Sequence, residues 1–86
     1  MIPLFNNVPS LDLHGLDREY ATILINEFIK DHYNMKDEYV SIVHGNGTGI
    51  LKKTTQEVLK KNPYVEEYKI NNFNAGMTNV RIRKRP

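Results

Sequence analysis

The sequence predicts a two-layer α/β domain with the element order β-α-β-α-β-β. Segments with alternating or continuously apolar character fall at 10–14, 39–43, 65–70 and 78–84, and two longer segments between them carry apolar residues at helical spacing. Strand–helix–strand units imply parallel strands joined by right-handed crossovers. With 86 residues and two helices, one sheet face is covered and the other is open.

Taken in order, residues 1–9 contain Pro3 and Pro9 with the apolar Ile2, Leu4, Phe5 and Val8. They read as an extended arm ahead of a domain spanning 10–86. Ser10-Leu11-Asp12-Leu13-His14 alternates as a half-buried strand. Leu11 and Leu13 face the core, and Asp12 and His14 share the other face. Gly15 ends the strand. Asp17 is a natural N-cap, and a helix follows over 17–33. Its core stripe is Tyr20, Leu24 and Phe28, joined by Ala21, Ile25 and Tyr33, and Asn34 stops it. His32 reads as a solvated helix histidine.

Lys36-Asp37-Glu38 is a polar turn before the strand Tyr39-Val40-Ser41-Ile42-Val43. His44-Gly45-Asn46-Gly47-Thr48-Gly49 follows, and a second helix starts at about Ile50 with the core stripe Leu51, Thr55, Val58 and Leu59. Asn62-Pro63 stops that helix. The third strand, 65–70, turns Tyr68 and Ile70 inward. Residues 71–77 form a loop by composition, in which Phe73 either packs within the loop or stacks on a base. The fourth strand, 78–84, turns Val80 and Ile82 inward and Arg81 and Arg83 outward.

Composition excludes several classes. Hydrophobic residues are 40% and charged residues 26%, as in a soluble globular domain. No apolar run is long enough for a membrane-spanning helix, and the opening residues lack a signal-peptide pattern. Cysteine is absent, which excludes a disulfide framework, a thiol nucleophile and thiolate zinc sites. These features lead us to expect a cytoplasmic protein with no membrane partner. The net charge of +2 is too small to imply nucleic-acid binding by itself, although the last six residues hold Arg81, Arg83, Lys84 and Arg85 and no acid.

The chemistry-bearing residues converge at one edge. Open α/β sheets bind ligands at the carboxyl ends of their parallel strands. His14 ends the first strand and His44 the second. The turn Gly45, Asn46, Gly47, Thr48, Gly49 and the following helix N-terminus offer backbone N–H groups to an anion, with Lys52 and Lys53 one turn further on. Gly-x-Gly-x-Gly alone matches neither the dinucleotide fingerprint nor the P-loop, because Ile50 stands where each needs glycine. It reads equally as a phosphate cradle or a plain strand-to-helix turn. His14 and His44 could serve as acid and base, with Asp12 orienting an imidazole or holding a divalent ion. Arg81 and Arg83 on the open face could track a phosphate backbone.

Leu11-Asp12-Leu13-His14-Gly15 together with His44-Gly45-Asn46-Gly47-Thr48-Gly49 resembles the paired motifs of the small MutS-related family, the Smr domain. Gly76-Met77-Thr78-Asn79-Val80 is similar to the family's glycine-x-threonine segment, and Leu51-Lys52 to its leucine followed by a basic residue. The loop before Gly76, with Asn74-Ala75, is less glycine-rich than the family often shows. The resemblance covers roughly 10–84. It implies a mixed four-stranded sheet with two helices on one face, similar to the C-terminal domain of translation initiation factor three. It also implies endonuclease activity, phosphodiester-cleaving or nicking, on DNA or RNA; the residues leave the cofactor open, a divalent metal such as magnesium or manganese held by Asp12 being one variant. The alternative is a non-catalytic nucleic-acid-binding or interaction module. Family members also occur at the C-terminus of larger MutS-like or RNA-binding proteins, while others are nearly stand-alone, so a fused ATPase or RNA-binding domain is a further expected partner if the chain is a fragment.

Overall fold

A computed structural model describes residues 8–86. Its elements are β1 (Ser10–Asp12), α1 (Arg18–Asn34), β2 (Tyr39–Val43), α2 (Ile50–Lys61), β3 (Val65–Ile70) and β4 (Met77–Ile82). The expected order therefore holds. The arm expected at 1–9 lies outside the described residues except for Val8 and Pro9. The Pro9 carbonyl accepts the Ser41 N–H at 2.9 Å, which extends the β1–β2 ladder.

The four strands form one sheet in the order β1-β2-β4-β3. β1 and β2 run parallel. β4 lies between β2 and β3 and is antiparallel to both. β3 thus runs in the same direction as β1 and β2, and three carboxyl ends meet at one edge. The sheet is mixed.

Register divides the sheet into two faces. Val40 and Ile42 sit opposite Val80 and Thr78, which sit opposite Tyr68 and Ile70. This layer packs against the helices, with Leu13, Ala21, Ile25, Ile29, Val40, Ile42, Leu59, Val80 and Ile82 nearly or wholly inaccessible. Burial of such side chains is the dominant favourable contribution to folding. On the other face Val43 neighbours Asp12 and Met77, Ser41 neighbours Ser10 and Asn79, and Tyr39 neighbours Arg81.

Local chemistry sets the element ends. Asp17 caps α1 by accepting the Tyr20 N–H at 2.8 Å. The helix closes at Met35, and Lys36 takes φ 63°. Three expectations need correction. The α1 stripe is Ala21, Ile25 and Ile29 at four-residue spacing, while Tyr20 is 51% exposed. The small Ala21 lets the helix approach the sheet at a point where a tyrosine ring would hold it away. His32 is half-buried rather than solvated: its Nδ1 lies 2.7 Å from Asp37 Oδ2, and its ring leans on Phe28. Finally, β1 ends at Asp12 and β4 at Ile82, each two residues earlier than expected. Asp12 stops its own strand, because its side chain takes the His14 N–H at 2.8 Å.

Candidate functional site

The carboxyl edge is built from three walls. The first is the end of β1, where Asp12 and His14 are both exposed. The Asp12 Oδ1 is fixed by the backbone N–H of His14, not by its imidazole. A turn then closes through the Leu16 N–H to the Leu13 carbonyl, with Gly15 at φ 77°.

The second wall is the turn 45–49 and the start of α2. Gly45 and Gly49 take φ 77° and 86°, the left-handed region that glycine adopts without a Cβ penalty. Gly49 is the N-cap and contributes no side-chain oxygen. Apart from the Ile50 N–H, which donates to Thr48 Oγ1 at 3.4 Å, the first-turn amides of α2 have no side-chain cap, and they lie at the positive end of the helix dipole. Lys52 is half-buried and Lys53 exposed.

The third wall is the β3–β4 loop. The Gly76 carbonyl accepts the N–H groups of both His44 and Gly45, each at 2.9 Å. Gly76 is buried at this crossing, and a Cβ there would sit 3.2 Å from the Gly45 Cα. The β3–β4 loop thus packs directly on the glycine turn.

His44 departs from the expected role. It is only 6% exposed, and both ring nitrogens are engaged. Nδ1 lies 3.1 Å from the Gly45 carbonyl, which can only accept, so Nδ1 carries the proton. Nε2 lies 2.8 Å from Thr78 Oγ1 and accepts from that hydroxyl. Burial, with a smaller contribution from the Lys52 charge, pushes the imidazole pKa below its ordinary value, partly opposed by the Gly45 carbonyl. His44 is a neutral strut between the glycine turn and β4, with no free ring nitrogen to exchange a proton with a ligand. Its strut partner Thr78 was not among the expected site residues. The signal for it was the alternation that places Thr78 inward with Val80.

Arg81 and Arg83 do not join the edge. Arg81 sits opposite Tyr39, the first residue of β2, four residues or about 13 Å along the strand from Val43. Arg81 Nε lies 3.3 Å from Glu38 Oε2, and Arg83 Nη1 lies 2.6 Å from Glu66 Oε2. A groove of about 520 Å³ between the helices, lined by Arg18, Thr22, Asn26, Thr54, Glu57 and Lys61 among others, holds none of the edge residues. Among the described residues no three acidic or histidine side chains are grouped to cage a metal ion. The single exposed carboxylate of Asp12 suits only an ion such as Mg²⁺ that completes its shell with ligand oxygens and water.

Comparison with known proteins agrees with this fold. The Smr domain model matches residues 11–83. Endonuclease MutS2 of Clostridium perfringens is 36% identical over 74 residues, covering 86% of this chain and 9% of the relative. The Clostridium beijerinckii MutS2 is 39% identical over 72 residues, again covering 9% of the relative and 83% of this chain. The chain thus spans about a tenth of the length of these relatives. Among solved structures, the Smr domain of Thermus thermophilus MutS2 superposes with a TM-score of 0.85 at 25% identity, covering 88% of this chain and 99% of that one. YdaL, a stand-alone small MutS-related protein from Escherichia coli, shares the fold with a TM-score of 0.82 at 23% identity, covering 87% of this chain and 64% of that one. The paired motifs, the mixed sheet and these matches together show that the chain belongs to the Smr domain family.

Proposed function

We propose that this Smr domain binds DNA or RNA at the carboxyl edge of its sheet and cleaves a phosphodiester bond there. The reading rests chiefly on the exposure of Asp12 and His14 at one strand end, beside a glycine turn and an uncapped helix N-terminus. The turn amides beyond Gly45, whose own N–H is held by the Gly76 carbonyl, and the start of α2 receive a backbone phosphate, and Lys52 and Lys53 add positive charge. His14 moves the proton, either from the attacking oxygen or to the leaving oxygen. Asp12 is held two residues away by the His14 N–H, with its other oxygen free for a substrate hydroxyl or a divalent ion. Such an ion, when bound, would polarise the phosphate. His44 and Thr78 keep the cradle in shape. The endonuclease name of the MutS2 relatives supports the same reading.

The test is cleavage of supercoiled plasmid and structured RNA, with and without chelator, by wild type, Asp12→Ala and His14→Ala. Loss of a general acid or base should slow cleavage by about 10²- to 10⁴-fold. Equal cleavage by all three proteins would defeat the catalytic assignment. A second reading, binding without cleavage, is favoured by one observation: with both His44 nitrogens engaged, His14 is left as the proton carrier at this edge. Salt-sensitive binding with no cleavage under any divalent metal would select it. A longer protein carrying an ATPase or RNA-binding domain is the context we propose for the domain.

A further inference from the structure

Phe73 is 98% exposed, so its ring does not pack within its own loop. A lone exposed apolar side chain is ordinary in itself. The mounting is less ordinary. Asn71 Oδ1 accepts the N–H groups of Phe73 and Asn74 at 2.8 and 3.0 Å, and Asn71 Nδ2 donates to Asn79 Oδ1 at 3.2 Å. The Asn71 N–H donates to the Met77 carbonyl at 2.9 Å and the Met77 N–H to the Asn74 carbonyl at 3.1 Å. The Gly76 N–H donates to Asn74 Oδ1 at 2.9 Å. The backbone beneath the ring is thus held from both sides while the ring stands in water.

The position matters as much as the mounting. Gly76 is hydrogen-bonded to His44 and Gly45, and the Phe73 Cα is three residues away, hence within about 11 Å of it. That distance corresponds to about three stacked nucleotides of a strand. A strand whose phosphate lies at the Gly45 end of the glycine turn therefore brings a neighbouring base within reach of the ring. In a duplex that base is already stacked between its neighbours and its π-face is unavailable. An unpaired base has a free face, and an aromatic ring takes any of the four bases.

We propose that Phe73 is a stacking platform for an unpaired nucleobase within about three nucleotides of the phosphate on the glycine turn, which makes the substrate class a nucleic acid with a single-stranded segment beside the bound phosphate. The proposal rests on the reading of the edge as a nucleic-acid site.

Binding is measured by fluorescence anisotropy on the full chain, with a single-stranded RNA and a blunt RNA duplex of equal length. The single strand carries 2-aminopurine, whose emission reports stacking. Phe73→Ala should weaken single-strand binding by roughly 5- to 150-fold, leave duplex binding within about twofold, and abolish the 2-aminopurine signal seen with wild type. Phe73→Tyr should retain both affinity and signal. Equal single-strand affinity and equal signal for wild type and Phe73→Ala would overturn the stacking role while leaving the phosphate site intact. An equal loss on single strand and duplex would also overturn it. Failure of wild type to bind either RNA, and DNA equivalents of each, would remove the nucleic-acid reading itself. Circular dichroism checks that the exposed substitution leaves the fold unchanged.

Discussion

Replacing Thr78 by Val tests whether His44 is a strut. The Thr78 hydroxyl donates to His44 Nε2 at 2.8 Å, and both side chains are buried, at 0% and 6% exposure. Valine keeps the shape and removes the donor. The imidazole Nε2 is then left without a partner where water cannot reach it. Abandoning a buried acceptor costs about 1–3 kcal/mol. For a domain of this size, total stability is on the order of 4–13 kcal/mol, so the change should be visible as a lower urea midpoint at unchanged slope. Thr78→Ser keeps the hydroxyl and should lose only the methyl contribution, about 1 kcal/mol. The decisive comparison repeats Thr78→Val in a His44→Phe background, where no acceptor remains to be stranded. There the substitution should cost less than about 0.5 kcal/mol, giving a coupling of about 0.5–3 kcal/mol. A Thr78→Val effect of the same size in both backgrounds, or none in either, would refute the strut.

Two further outcomes follow from the same geometry. The unfolded imidazole of His44 titrates near 6.5 and the folded one lower, so the unfolded state binds more protons between those values. The His44 contribution is fully present above 6.5 and is lost as pH falls through the folded pKa; the stability of wild type minus that of His44→Gln should shrink over that window, and a flat difference from about pH 7.5 to about pH 5 would contradict it. Gly76→Ala would place a Cβ 3.2 Å from the Gly45 Cα and 3.3 Å from Asn46 Nδ2. The loop should be pushed off the glycine turn at a cost of about 1–3 kcal/mol, with faster amide exchange at His44 and Gly45 as the local signature.

Much of the fold was legible because period and punctuation agreed. The strands at 39–43 and 65–70 coincide with their expected spans, and α1 begins after the Asp17 cap as its sequence indicates. The α1 core face was read in part: Ala21 and Ile25 are buried as expected, but Ile29 was left out and the exposed Tyr20 was counted in. Tyr20, Leu24 and Phe28 have the same helical spacing as Ala21, Ile25 and Ile29, and only the approach to the sheet distinguishes the two stripes. At the site, Asp12 lies on the strand face that alternation gives it, whereas His14 is carried by the turn after β1. The burial of His44 was missed although alternation was available there too: Val40, Ile42 and His44 are buried at alternate positions, on the face opposite Asp12. The Arg81 and Arg83 ion pairs were not legible, because Glu38 and Glu66 are distant in sequence and meet them only through the β4 register.

The antiparallel course of β4 decides how this domain can be carried. The chain reaches β1 from the Pro9 side, away from the edge that holds Asp12 and His14, and β4 leaves past Arg81, level with the start of β2. Entry and exit therefore share the amino edge of the sheet. A neighbour attached at either end would hold the domain by its base, with the candidate site on the far rim. Such a head can be appended to unrelated proteins without being smothered by its own tether. Tether length would then set which targets the candidate site reaches and at what effective concentration, independently of the residues that form the site.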